Sequence, residues 1–145
     1  MLFRSVSQSR YKRSYWTNIG AESFDLFGNR YSMIPQPKNK NIMLQDILES
    51  GKVDRQKSTC ILARYKTSAT RNFLSMSNRA KKGFTTIVYE KDTFRLFTTK
   101  ELERLQTVPE GYVDNVPGIS ENMKANLLGD GWTVDVIAHI FSFLK

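Results

Sequence analysis

The sequence predicts an α+β protein: a small, basic, β-rich lobe in the middle of the chain, helices in its last third and one strand at the front. Three observations carry that expectation. Between Asp54 and Glu90 there is no acidic residue, while Arg55, Lys57, Arg64, Lys66, Arg71, Arg79, Lys81 and Lys82 all fall inside. Tyr65, Phe73 and Phe84 are interleaved with them among Thr, Ser and Asn, a mixture that favours strands and loops with polar tips. Residues 96–145 carry three helical runs, each opened by a hydroxyl residue able to cap it. At the front, "RSYWTNIG" (Arg13 to Gly20) is aromatic and β-branched and is ended by glycine, as a short strand would be.

After that strand a loop is marked by Gly28-Asn29 and by Pro35 and Pro37. Asn41 is placed to cap a short amphipathic helix in "IMLQDILESG", with Ile42, Leu44, Ile47 and Leu48 on one face and Gly51 at the stop. Cys60 lies in "STCILARY", an apolar, strand-like run, and reads as a core thiol rather than a nucleophile. "FTTIVYEKDTFRLFT" has the pattern of a β-hairpin turning at Lys91-Asp92. Thr98 and Glu101 have capping-box spacing for a helix halted before Pro109, and Ser120 can cap "ENMKANLLG" as far as Gly129. Thr133 can cap the last helix, where Val134, Ile137, Ile140, Phe141 and Leu144 recur at helical spacing and Val136, Ala138 and Phe143 widen the stripe. Each such side chain left in water forgoes about 1.5–3 kcal/mol, so this helix must dock against something.

Charge divides the chain unequally. Lys and Arg number 22 against 14 Asp and Glu, a net +8. Residues 1–95 hold 18 of the bases and 7 of the acids, a net +11, whereas residues 96–145 hold 4 and 7, a net −3. A polyanion suits the first part and a protein surface the second, because phosphate neutralisation needs clustered Lys and Arg. No apolar run approaches the roughly 18 residues that would span a bilayer, and the front lacks the apolar stretch of a signal peptide, so a cytoplasmic, non-secreted protein with no membrane partner is expected. One cysteine rules out an internal disulfide, and with His139 the lone histidine no Cys/His metal cluster can be assembled.

Three stretches, "RSYWTNI", "RLFTTKELERLQTVPEGY" and "LLGDGWTVDVIAHIF", resemble in order the eighth, ninth and tenth conserved motifs of the DNA (cytosine-5)-methyltransferases of bacteria and phages. The basic window falls where that family keeps its target recognition domain, and "VDRQKSTCILARY" resembles the start of that domain. The resemblance implies an eighth-motif segment at 1–22, a target recognition domain at 23–95 and a ninth- and tenth-motif segment at 96–145. The first and last would belong to a Rossmann-like methyltransferase domain. The family's Gly-rich loop for S-adenosylmethionine, its Pro-Cys nucleophile and its Glu-Asn-Val do not occur here. Cys60 follows Thr59 and does not fit the nucleophile's place. The chain therefore resembles the recognition half of a split enzyme, working in a bacterial or phage-infected cell with double-stranded DNA and a catalytic methyltransferase subunit. In such a pair the target cytosine is flipped out, attacked by the partner's cysteine and methylated at C5.

By the same resemblance, Arg13 takes the position of the arginine that contacts the flipped cytosine and its phosphates, with a solvated strand-end arginine as the plain alternative. The spacing from Gln8 to Arg13 is one residue longer than the family's, and Tyr11 replaces an arginine. Gly129, Asp130, Gly131 and Trp132 match the turn that contacts S-adenosylmethionine, with Asp130 where the family usually carries Asn. Lys12 and the eight bases of the acid-free window are the candidate DNA contacts. Thr98, Glu101, Arg104 and Gln106 correspond to residues that organise the recognition domain. A non-catalytic DNA-binding or regulatory protein derived from such an enzyme is the competing expectation, favoured by Asp130 and the irregular eighth motif.

Overall fold

A computed structural model describes residues 2–4, 12–15, 17–59, 61, 65 and 73–144. Within them the protein is α+β, with three two-stranded antiparallel ribbons and four α-helices. Strands β1 (Leu2–Arg4) and β2 (Lys12–Ser14) pair with Phe3 opposite Arg13. Strands β3 (Glu22–Phe24) and β4 (Arg30–Ser32) form a second ribbon, and β5 (Val88–Glu90) and β6 (Thr93–Arg95) a third. The helices are α1 (Phe73–Lys81), α2 (Thr99–Gln106), α3 (Glu121–Asp130) and α4 (Val134–Phe141).

The β5–β6 hairpin turns at Lys91-Asp92, and α2 and α3 are capped by Thr98 and Ser120, as the sequence predicts. Four expectations need correction. The front strand ends at Ser14 instead of running to Gly20, because the Thr17 hydroxyl accepts the Ile19 N–H at 3.0 Å and closes a local turn. The loop at Gly28-Asn29 belongs to a hairpin, closed by Asp25 Oδ1 accepting the N–H groups of Phe27 and Asn29 at 2.9 and 2.8 Å. The helix expected after Asn41 is only a 3-10 turn, Leu44–Ile47: the Leu44 N–H donates to the Gln56 carbonyl, and the Glu49 N–H goes to Glu101 rather than to a helical carbonyl. The basic window is not wholly strand and loop, since α1 occupies its second half. The "STCILARY" strand expectation and Cys60 lie outside the described residues, apart from Ser58, Thr59, Ile61 and Tyr65.

Packing separates into two clusters. The larger gathers Leu44, Ile47, Ile61, Tyr65, Met76, Ile87, Val88, Phe97, Leu102, Leu105, Val113 and Leu128 around α2. Tyr65 stacks on Phe97 with ring centroids 6.0 Å apart and donates its hydroxyl to the Thr86 carbonyl at 2.9 Å; its burial raises the phenol pKa. Gly51 lies so close to β5 that a Cβ there would sit 2.5 Å from Val88. The smaller cluster joins the two ends of the chain: Ile34, Val136 and Ile140 are buried, with Tyr15, Ile19, Ile137 and Phe143 packed against them.

Candidate functional site

Helix α2 is the hub of the larger cluster. Its cap is reciprocal: Thr98 Oγ1 accepts the Glu101 N–H at 3.2 Å while Glu101 Oε2 accepts the Thr98 N–H at 2.9 Å. Glu101 is fully buried, and a buried carboxylate persists only when paired. Its pair is Arg95, which holds it with two bonds of 2.7 and 2.8 Å. Arg95 also reaches Glu90 Oε1 at 2.8 Å and the Ser50 carbonyl at 2.7 Å. Hydrogen bonding to Glu101, then to Glu90, pushes the Arg95 pKa upward.

The rest of α2 behaves alike. Arg104 donates to Glu110 at 2.7 Å and to the Ile47 carbonyl at 3.0 Å. Gln106 donates to the Leu128 carbonyl at 2.7 Å and accepts the Thr133 hydroxyl at 3.1 Å. Thr98, Glu101, Arg104 and Gln106 thus tie the 3-10 turn, the β5–β6 hairpin, α3 and the start of α4 to one helix. Glu103, which sequence reasoning passed over, is also fully buried. Its carboxylate accepts the N–H groups of Gly111, Val113 and Asp114 at 2.7, 2.7 and 2.9 Å.

The four tenth-motif residues are not one free turn. Gly129 and Asp130 lie in the last turn of α3, and Gly131 ends it by donating its N–H to the Leu127 carbonyl at 3.1 Å. Gly129 allows a close approach, since a Cβ there would meet the Ile61 carbonyl oxygen at 3.3 Å. Asp130 is exposed, as is Trp132, whose ring meets the edge of Tyr15 with centroids 6.3 Å apart. Thr133 stands at the N-cap of α4 but gives its hydroxyl to Gln106 instead of to the helix. Asp130 and Trp132 are both open to solvent and enclose no pocket between them.

The candidate DNA contacts divide by environment. Arg55 binds Asp54 through two bonds of 2.7 and 2.9 Å and donates to the Ala80 carbonyl at 2.6 Å, so it fastens the end of α1; its bond to Asp54 raises its pKa. Lys57 donates to the Ile42 carbonyl at 2.7 Å, and burial lowers its pKa. Arg79 lies over Phe84, its guanidinium 6.0 Å from the ring centroid, while Lys81 and Lys82 are exposed. Lys12 and Arg13 are adjacent in β2, opposite Arg4 and Phe3. Arg64, Lys66 and Arg71 lie outside the described residues.

Where the chain's two ends meet, Val134, Phe141 and Leu144 remain exposed, as does Trp132. A cleft of about 310 Å³ runs between Asn18–Ala21 and Phe143–Leu144. Among the described residues, no helix is long and apolar enough to cross a membrane. Compared with protein-family models, the chain matches none.

Proposed function

We propose that this chain is the DNA-recognition subunit of a split DNA cytosine-5 methyltransferase. It gives target readout and one wall of the S-adenosylmethionine pocket to a catalytic subunit that carries the Gly-rich loop and the Pro-Cys nucleophile. The observation that carries this reading is the meeting of the eighth-motif and tenth-motif segments. Tyr15 touches Trp132, Ile19 and Ile34 pack on Val136 and Ile140, and yet Val134, Phe141 and Leu144 stay in water. An apolar helix satisfied on one face only suits an element completed by another surface. On this reading β2, α3 and α4 complete the partner's Rossmann-like domain, and residues 53–95 face the DNA. The cofactor supplies the methyl group when bound, Asp130 and Trp132 form its rim on this side, and Arg13 contacts the flipped nucleotide.

The purified chain, incubated with tritiated S-adenosylmethionine and duplex DNA, is expected to transfer no label. A polypeptide bearing both the Gly-rich loop and the Pro-Cys dipeptide should bind it and restore transfer to cytosine C5 in the mixture. Transfer by the isolated chain, or no rescue by such a polypeptide, refutes the proposal. One observation favours a second reading, a DNA-binding regulator with no cofactor. Gly129 and Asp130 are committed to α3, with Gly129 packed against Ile61. Duplex binding by the chain, with no binding of S-adenosylmethionine and no restored transfer in the mixture, would support it.

A further inference from the structure

The sequence pattern of the basic window favours strands and loops, yet the window contains α1. Its residues Met76, Ser77 and Ala80 are buried against the core, while Leu74, Asn78 and Lys81 are exposed, as is Lys82 just past its end, whose N–H still donates to the Asn78 carbonyl at 3.1 Å. Those four stand at i, i+4, i+7 and i+8, which is one face of a helix. No acid occurs in the nine residues of α1. Asp54, which Arg55 links to the Ala80 carbonyl, has both carboxylate oxygens taken by that arginine. The outward face thus carries Leu74 at its start, the Asn78 amide at its centre and the cations Lys81 and Lys82 at its end, with no acid among them and the Arg79–Phe84 pair beside it.

We infer that α1 is the helix that reads the DNA, lying in the major groove with Asn78 on a base edge and Lys81 and Lys82 on phosphates. This rests on the DNA-recognition reading above and goes beyond it by naming the element and the residue. A helix about 10–12 Å across fits a groove about 12 Å wide. Asn presents one donor and one acceptor side by side, the complement of adenine N7 and N6. From Asn78 to Lys82 the helix advances about 6 Å, close to two base steps of about 3.4 Å, so the lysines reach the backbone beyond the base that Asn78 touches.

The test is a selection from a random duplex library with the full chain, followed by anisotropy titrations on the selected duplex and its single-base variants. Asn78→Ala should erase a preference of roughly 5- to 100-fold at a single A·T position and leave the others intact. Lys81→Ala and Lys82→Ala should weaken all duplexes alike and reduce the slope of log affinity against log salt by about 0.9 each. These side chains are exposed, so far-UV circular dichroism should match the parent. A wild-type motif that survives Asn78→Ala overturns the inference while the DNA reading stands, as does binding with no sequence preference. Tighter binding to the single strand or to RNA of the same sequence also overturns groove docking. Failure of the wild-type chain to bind any duplex at low salt removes the DNA reading itself.

Discussion

Around α2, fifteen buried apolar residues enclose two fully buried carboxylates that hold five backbone N–H groups and one arginine between them; where the chain's ends meet, three buried apolar residues, Ile34, Val136 and Ile140, do the work. The first region uses charge to fix position. A buried glutamate that must satisfy Arg95, Glu49 and Thr98 admits one arrangement of those partners, because a missed bond leaves a desolvated charge. The second relies on apolar packing over a small area, with no buried charge among its described residues, and keeps Phe141 and Leu144 wet. Helix α4 spans both. Its start is tied to α2 through Thr133 and through Thr107 Oγ1, which accepts the Asp135 N–H at 2.9 Å, while its far end leans on the front segment through His139 and the Pro35 carbonyl at 2.8 Å. A densely bonded unit thus carries a loosely covered end, the edge at which the proposed partner would dock.

The largest effect should come from Glu101→Ala. Removing one partner of a buried ion pair costs about 3–5 kcal/mol. Here the Glu49 and Thr98 N–H groups also lose their acceptor. Urea unfolding should show the midpoint collapse, with Glu101→Gln falling between variant and parent. A loss below about 1 kcal/mol would mean that this network only decorates an apolar core and would erase the contrast between the two regions.

Next in size is Ile140→Ala in the terminal cluster, expected to cost about 2 kcal/mol, the low end for such truncations because the site is small and can relax. Its diagnostic is locality. Amide hydrogen exchange should accelerate in α4 and at Ile34 while α2 keeps its protection. If α2 loses protection in step, the molecule is one cooperative unit and the distinction drawn here fails.

Much of the α2 region was legible in sequence, and the reason is range. Thr98 and Glu101 are three residues apart and cap one another, so spacing alone announces them; the turn at Lys91-Asp92 is equally local. Glu103 gave no such sign, because its partners are backbone groups eight to eleven residues away whose orientation only the fold defines. Residues 41–51 misled for the opposite reason. Their apolar spacing is helical, but the Leu44 and Glu49 N–H groups find acceptors at Gln56 and Glu101, and long-range bonds displaced local ones. Helix α1 was hidden by its composition, since among its described side chains only Met76 and Ala80 mark a buried apolar face amid basic and hydroxyl residues. In the candidate site, the cap at Ser120 announces a helix that reaches Gly129, and α3 ends one residue later at Asp130, whereas the meeting of Tyr15 with Trp132 has no local signal, because it joins the two ends of the chain.

Acid should act on the α2 region before the terminal cluster. Hydrogen bonds hold the Glu90 and Glu110 carboxyls below their ordinary value of 4.5, chiefly from Ser50 and then Arg95 for Glu90, and from Arg104 for Glu110. A carboxyl with a lowered folded pKa contributes stability that is complete above its unfolded value and is lost as pH falls through the folded one. Stability should therefore be level above about pH 5 and decline below pH 4.5, and Glu110→Gln should flatten part of that decline. An unchanged acid profile in the variant would show that the Arg104–Glu110 pair contributes nothing to the region it borders.

The smallest effect belongs to Lys40→Ala. Lys40 pairs with Asp135 in the first turn of α4, but the two side chains are 52% and 30% exposed. Screening by water limits such pairs to about 0.2–1 kcal/mol, and Asp135 retains its favourable place at the N-terminus of α4 without a partner. Parent and variant should differ by a degree or two in Tm at low salt and should coincide in 1 M salt, where charges are screened within about 3 Å. The same substitution should not alter exchange in α2. A larger loss that persists in high salt would mean that Lys40 packs its alkyl stem into the terminal cluster, making that region broader and better sealed than Ile34, Val136 and Ile140 alone would make it.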